Sequence, residues 1–309
     1  MVQRFPITLT QLSYFVECAK TLNMTEASRE LHIAQSAVST AINQLEKSLG
    51  AALFVRQRSK GLALTKTGEQ LLRDTREIFG RINETIELVR ADQREVQGSI
   101  DIACFKTITP FLLPQLLERL HQKHPELSVN VLEGDHEECI QALLSGRVEL
   151  SLNYDLTQTD GIHATRVGEA RPHAIIATSH RFARRKKVSL SELAEDSFVL
   201  LDLPDSREYF LNMLRVAGVV PNVHYRSSNY ETVRSMVAMG RGFSILNQRP
   251  LISETYSGER TSIVEISDTV PTLHVTCSTL ETSDRTSKVE AVIKAVEAVF
   301  EETHPDTTK

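Results

Sequence analysis

Apolar residues recur every three to four positions through the first fifty residues, which predicts a compact set of helices. Thr8-Leu9-Thr10-Gln11 fits a capping box, and Leu12, Phe15, Val16, Ala19 and Leu22 follow at helical spacing, so the first helix should end near Asn23. A short second helix is expected from about Thr25 to Leu31. After His32-Ile33-Ala34 a third carries Val38, Ile42, Leu45 and Leu49 as its apolar stripe, with Gly50 as its stop. The segment from Leu53 to Thr65 then reads as a short hairpin with Arg56, Arg58 and Lys60 at its tip and Gly61 in or near its turn. From Thr67 to Gln93 runs a long helix in which Leu71, Thr75, Ile78, Ile82, Thr85 and Val89 alternate at spacings of four and three, the pattern of a two-stranded coiled-coil seam.

Beyond Gln97-Gly98 the period changes. Strands are expected at Ile100 to Cys104, Val129 to Glu133 and Leu150 to Tyr154, separated by helices from about Pro110 to His124 and His136 to Ser145. This is a βαβαβ unit and implies a mostly parallel sheet. A second unit follows, with strands near Ala174 to Ala177, Phe198 to Leu201, Val223 to Arg226 and Phe243 to Leu246. His274 to Ser278 and a helix from about Asp284 to Phe300 return to the first lobe. The fold class is therefore α/β, with three parts: a helical head at 1–66, a linker helix at 67–96 and a two-lobed body at 97–309. The first lobe is expected to hold 97–158 and 272–309, and the second 159–271. Two lobes joined by two crossings imply a hinge and a cleft, and open α/β sheets bind ligands at the carboxyl ends of their strands.

Composition adds the partner class. The 309 residues are 41% hydrophobic and 24% charged, ordinary for a globular chain. Net charge is -5, but residues 1–94 carry 13 Lys+Arg against 10 Asp+Glu, while the remainder carries 22 against 30. A basic head on an acidic body places any polyanion partner at the N-terminus. No run approaches the roughly 18 uncharged apolar residues of a membrane span, and MVQRFPITLTQL lacks the layout of a secretory signal, so a cytoplasmic protein without a membrane partner is expected.

Gln35, Ser36, Ser39, Thr40 and Asn43 lie off the apolar stripe of the third helix on one uncharged, hydrogen-bonding face. Such a face suits base edges in a major groove, and it equally suits the solvated side of a helical bundle. The hairpin decides between them. A thin finger carrying Arg56, Arg58 and Lys60 beside a reading helix is a wing, able to reach phosphates or a narrow minor groove.

Enzymatic signatures are missing: the chain contains no GxSxG elbow, P-loop, dinucleotide fingerprint or HExxH, and nothing in it calls for a cofactor. Glu133, Asp135, His136, Glu137, Glu138 and Cys139 crowd together like metal ligands, but most fall on different faces of a starting helix. Cys18, Cys104, Cys139 and Cys277 are widely spaced and form no CxxC pair. Core packing accounts for them best, with redox sensing through Cys104 and Cys139, or metal sensing through the acidic crowd around Cys139, as the alternative.

The run ASRELHIAQSAVSTAINQLEKSLGAALFVRQRSKGLALTKTG resembles the winged helix-turn-helix of the LysR-type transcriptional regulators, through Ala27, Leu31, Gln35, Val38, Ser39, Ile42, Leu45, Glu46, Leu49, Gly50, Leu53, Phe54, Arg56, Leu64, Thr65 and Gly68. Element order agrees along essentially the whole chain. Three positions depart from the usual pattern: Ala34 where Ser is common, Ser36 where Pro is frequent, and Thr40 where Arg is frequent. The resemblance implies a dimerising linker helix and a periplasmic-binding-protein-like effector domain. It further implies a homodimer, extended to a homotetramer through effector-domain contacts. Its expected partners are an interrupted inverted repeat in double-stranded promoter DNA, a small-molecule effector and RNA polymerase.

For the cleft, residues at strand ends and helix starts are the candidates: Lys106, Thr107, Thr109, Asp135 and His136 in the first lobe, and Asp202, Ser206, Arg207, Ser228 and Asn247 in the second. Helix N-termini with hydroxyls, Lys106 and Arg207 suit a carboxylate. An organic anion is the leading class; Asp155, Asp202 and Asp205 would repel a dianion and welcome an amine, which leaves an amino-acid-like zwitterion or an amide as the alternative. Asn247-Gln248 is a polar pair where the family often has an apolar residue and Pro, and its economical use is to hydrogen-bond a ligand.

Overall fold

A computed structural model of the chain describes residues 5–57, 61–90, 96–281 and 285–303. It contains two units, the helical head with its long helix and the α/β body. In the head, α1 (Leu9–Thr21) opens on the expected capping box: Gln11 N donates to Thr8 Oγ1 at 3.2 Å and Thr8 N to Gln11 Oε1 at 2.9 Å. Asn23 caps α2 (Met24–Glu30), and α3 (Gln35–Leu49) stops at Gly50, whose φ of 67° is the left-handed cap that glycine accepts without strain. The hairpin β1 (Phe54–Gln57) and β2 (Gly61–Leu64) pairs antiparallel, Phe54 opposite Leu64. Leu12, Phe15, Cys18, Val38, Ile42, Leu45 and Leu53 form the core of this unit.

Close contacts with the helices hold the hairpin in place. Glu46 of α3 accepts from Leu53 N at 2.6 Å and Phe54 N at 3.2 Å, which gives the strand entry its hydrogen bonds without a sheet partner. Gly68, in the first turn of α4 (Lys66–Arg90), lies so close to β1 that a Cβ there would meet the Leu53 carbonyl oxygen at 2.2 Å. The long helix also differs from its expected seam. Leu71 and Leu72 pack on the head core and Thr75 is buried, so the apolar side chains of the seam region that stay exposed are Ile78 and Ile86, with Ile82 between them half-buried. Val89 is helical, but its side chain lies outside the described residues.

The body begins with β3 (Gly98–Phe105), α5 (Thr109–Lys123), β4 (Leu127–Gly134), α6 (His136–Leu144), β5 (Leu150–Tyr154) and β6 (Ile162–Ala170). It continues through β7 (His173–Ala177), β8 (Lys187–Val188), a 3-10 turn at Leu190–Leu193, β9 (Phe198–Leu201) and α7 (Ser206–Val216). Then come β10 (Val223–Ser227), α8 (Tyr230–Ala238), β11 (Ser244–Leu246), β12 (Thr261–Ile266), β13 (Leu273–Leu280) and α9 (Ser287–Thr303). The first lobe is one sheet in the order β4-β3-β5-β13-β6. Its first three strands are parallel, and β13 runs antiparallel to both β5 and β6. The second lobe is a sheet in the order β11-β7-β12-β8, to which the parallel pair β9 and β10 joins through a bridge from Phe198 to Phe243.

The lobe boundary moves. Residues 159–171, expected in the second lobe, contain β6, which pairs along its length with β13 in the first. Ile162–Ala170 is an edge strand with few buried side chains, so its sequence lacks the apolar run by which the central strands announce themselves. The chain therefore crosses between lobes just after Ala170 and again between Ile266 and Leu273. The second lobe is also less parallel than expected, since β11 and β12 both run antiparallel to β7. Among the described residues, no helix is long and apolar enough to cross a membrane.

Candidate functional site

Two surfaces carry the chemistry expected of the chain. On the head, α3 buries Val38, Ile42 and Leu45 and turns Gln35, Ser36, Thr40 and Asn43 outward, with Ser39 half-buried. Ala34 at the N-cap supplies no side-chain acceptor, so the first turn of this helix presents backbone N–H groups together with short donors and acceptors. Arg58 and Lys60 lie outside the described residues, as does the side chain of Arg56.

In the body, a cavity of about 10 Å³, room for about one water, sits between the lobes. Thr107 from the turn after β3 and Tyr154 from the end of β5 line it from the first lobe. Ser206 and Phe210 of α7, Tyr230 at the start of α8, and Asn247-Gln248 after β11 line it from the second. These groups meet because both sheets aim their carboxyl ends at the hinge.

Hydrogen bonds cross the cleft. Gln248 Nε2 donates to Tyr154 Oη at 2.9 Å, and Asn247 Nδ2 donates to the Ala170 carbonyl at 2.7 Å and to Tyr209 Oη at 3.2 Å. Tyr209 Oη in turn donates to the Pro271 carbonyl at 2.7 Å, and Tyr230 Oη to the main-chain carbonyl of Gln248 at 2.7 Å. Phe111 of α5 packs edge-on against Tyr230, ring centroids 5.4 Å apart. Burial pushes the Tyr154 phenol up to about 12 and raises those of Tyr209 and Tyr230, so all three are neutral hydroxyls at physiological pH.

Of the residues expected here, Thr107, Ser206 and Asn247 reach the cavity. The others lie outside it. Lys106 lies 4.0 Å from Asp135, whose carboxylate also accepts from Glu138 N at 3.0 Å as a cap of α6. Asp202 pairs with Arg207 and, at 3.7 Å, with Arg226. Thr109 is buried with its hydroxyl on the Phe105 carbonyl, and His136 is buried with Nε2 2.9 Å from Thr157 Oγ1. Burial lowers the His136 pKa, with Asp205 and Asp135 opposing. Ser228 is exposed, and the cap of α8 is its neighbour Asn229, which accepts from Thr232 N at 2.9 Å. Asp155 is held by Arg166 at 3.2 Å and by the His274 ring at 2.9 Å.

Sequence reasoning missed the aromatic lining. Tyr154 ends a strand and Tyr230 starts a helix, the same positional signal used for the polar candidates, but charge and hydroxyl chemistry drew attention to their neighbours Asp155 and Ser228. Phe210, and Tyr209 that hydrogen-bonds the lining residue Asn247, lie inside α7 and carry no such signal.

Two family models match the chain. Residues 9–69 fit the bacterial regulatory helix-turn-helix protein, lysR family, and residues 93–301 fit the LysR substrate binding domain. The chain belongs to the LysR family of transcriptional regulators. Among its LysR-type relatives, the crystal structure of HinK from Pseudomonas aeruginosa is 33% identical and superposes with a TM-score of 0.64, covering 95% of this chain and 99% of that one. The hydrogen peroxide-inducible genes activator of Pectobacterium carotovorum is 26% identical across 83% of this chain and 84% of its own length. A full-length OxyR variant from Pseudomonas aeruginosa, 22% identical, covers 94% of this chain and 98% of that chain at a TM-score of 0.80, a likeness of fold. The family are regulators rather than enzymes, and the head and body are accordingly a DNA-binding and an effector-binding domain.

Proposed function

We propose that this LysR-type regulator binds an interrupted inverted repeat in promoter DNA as a homodimer joined through its linker helices, with tetramers forming through the effector domains. It senses a small organic molecule in the cleft between the effector lobes. The observation that carries this reading is the convergence of strand-end hydroxyls and carboxamides from both lobes on one cavity at the hinge. A ligand that favours one lobe arrangement shifts the setting of the two DNA-binding heads and, through it, the access of RNA polymerase. Such a regulator works where the chromosome is, in the cytoplasm.

The lining carries no charged side chain, which weighs against the carboxylate suggested by sequence. The peroxide-inducible relative favours a second reading, redox sensing. Against it, burial pushes the Cys104 and Cys139 thiols up to about 12 and the Cys18 thiol to about 11, so little nucleophilic thiolate forms near neutral pH. Among the described residues, no group of three or more His, Cys, Asp or Glu is placed to hold a metal ion.

Binding assays on operator and random DNA at two salt concentrations test the head. Gln35→Ala or Ser39→Ala is expected to cost about 1 to 3 kcal/mol on the operator and much less on random DNA. Arg58→Ala and Lys60→Ala are expected to weaken binding on both and to flatten the salt dependence, because they remove charge without removing sequence information. Indistinguishable behaviour of the two mutant sets would refute α3 as the reading helix.

A further inference from the structure

The cleft contains a chemical group that a ligand would have to imitate. Gln248 ends in a primary carboxamide, borne by the second lobe and donating to a neutral tyrosine of the first at 2.9 Å. Thr107 and Ser206, both buried, line the same cavity, as does Asn247. All of these groups are uncharged and all both donate and accept, the phenols and hydroxyls through one oxygen and the carboxamides through two atoms.

The cations nearby are already matched. Lys106 faces Asp135, and Arg207 and Arg226 face Asp202, while Asp155 is matched by Arg166 and His274. A carboxylate entering the cavity would lose its hydration without gaining a counter-ion, and an ammonium would meet the same penalty. An uncharged amide loses less and recovers its hydrogen bonds.

We infer that the effector of this regulator is an uncharged small molecule bearing a carboxamide, or an equivalent adjacent donor and acceptor, and that the Gln248 side chain occupies the amide subsite in the ligand-free protein. The inference rests on the reading of the cleft as the effector site. Tyr154 Oη is the acceptor for the amide N–H, and the ligand enters by displacing Gln248 from it. The two lobes then close on the ligand's amide instead of on the protein's own.

The Gln248 side chain is a tethered propionamide and Gln248→Ala removes all of it beyond Cβ, so free propionamide is the probe of the emptied subsite. In the full-length Gln248→Ala protein, a ligand-observed NMR titration is expected to give propionamide an apparent Kd lower by about tenfold or more than those of propionate and propylammonium, which share its size but carry charge. Adding Tyr154→Phe is expected to weaken propionamide by about tenfold, since it removes one buried acceptor while keeping the ring. Gln248→Ser serves as a second background if the alanine variant does not fold. If propionate binds as well as propionamide and is weakened by Tyr154→Phe, the cleft stands and the uncharged class is overturned. If all three bind alike and Tyr154→Phe changes none of them, the cleft reading itself fails. Absence of binding by all three in both backgrounds overturns the amide subsite.

Discussion

His173 begins β7 beside the hinge and is 0% exposed. Burial pushes its imidazole from 6.5 down to about 3; the Arg249 guanidinium adds to the fall, while the Arg171 backbone and Glu265 oppose it. The unfolded chain takes up a proton as pH falls through 6.5, whereas the folded chain resists until about 3. Stability from this residue is therefore complete above the higher value and lost on acidification, at up to about 1.4 kcal/mol per pH unit. Urea unfolding between about pH 7 and pH 4.5 is expected to show a shallower decline for His173→Leu than for wild type, whatever the packing cost of leucine at neutral pH. Equal slopes would mean that His173 protonates as readily in the folded chain. Nothing in the sequence marks this histidine, because its shift comes from side chains that surround it only after the second sheet forms. The cleft shows the same limit: Thr107 and Asn247 were legible from strand ends, but the pairing of Lys106 with Asp135 and of Arg207 with Asp202 depends on side-chain geometry that residue type does not reveal.

At the scale of elements, one substitution has opposite consequences along α4. Gly68→Ala would drive a Cβ to 2.2 Å from the Leu53 carbonyl oxygen, so the wing or the helix start must shift. It is expected to destabilise the head by about 1 to 3 kcal/mol. Gly80 is exposed and a Cβ there meets nothing within 4 Å, so Gly80→Ala is expected to stabilise the helix by about 0.5 to 1 kcal/mol. Thermal unfolding followed by circular dichroism separates the two; a loss of stability from Gly80→Ala would indicate a close neighbour on that face. The same helix carries the proposed dimer contact. Ile78 and Ile86 remain 43% and 42% exposed, eight residues apart on one stripe. Ile78→Asp combined with Ile86→Asp is expected to give a monomer by light scattering at micromolar concentration, because each dimer would bury four carboxylates. A dimer that survives both changes would move the interface off this helix. The periodicity located α4 and the exposed Ile78, but the expected seam through Ile82 and Thr85 passes beside the exposed Ile86, and a heptad pattern does not say which neighbour covers it. Leu71 was legible as apolar and not as part of the head.

Across the whole molecule, the buried residues fall into cores that respect the division into head and body. Leu12, Phe15, Val38, Ile42 and Leu45 close one core inside the head. A second cluster runs without interruption from Ile102 and Leu152 in the first lobe to Ile175, Val199 and Phe243 in the second. Most strands of each lobe were legible, because strand patterning is local, although the edge strand β6 fell to the wrong sheet. The lobes' shared core was not, because it depends on the two crossings near Ala170 and Leu273 that bring the sheets together. The consequence is a difference in cooperativity. Calorimetry of the full chain is expected to show a transition for the head and another for the body, with the two lobes of the body melting together. Leu45→Ala, in the head, and Leu152→Ala, in the first lobe, are both fully buried deletions and each is expected to cost about 2 to 5 kcal/mol. Leu45→Ala should lower the head transition alone, and Leu152→Ala should lower that of the body as one peak. Separate melting of the two lobes in Leu152→Ala would show that the continuous cluster does not couple them, and ligand-driven lobe closure would then have to be transmitted through the crossings rather than through the core.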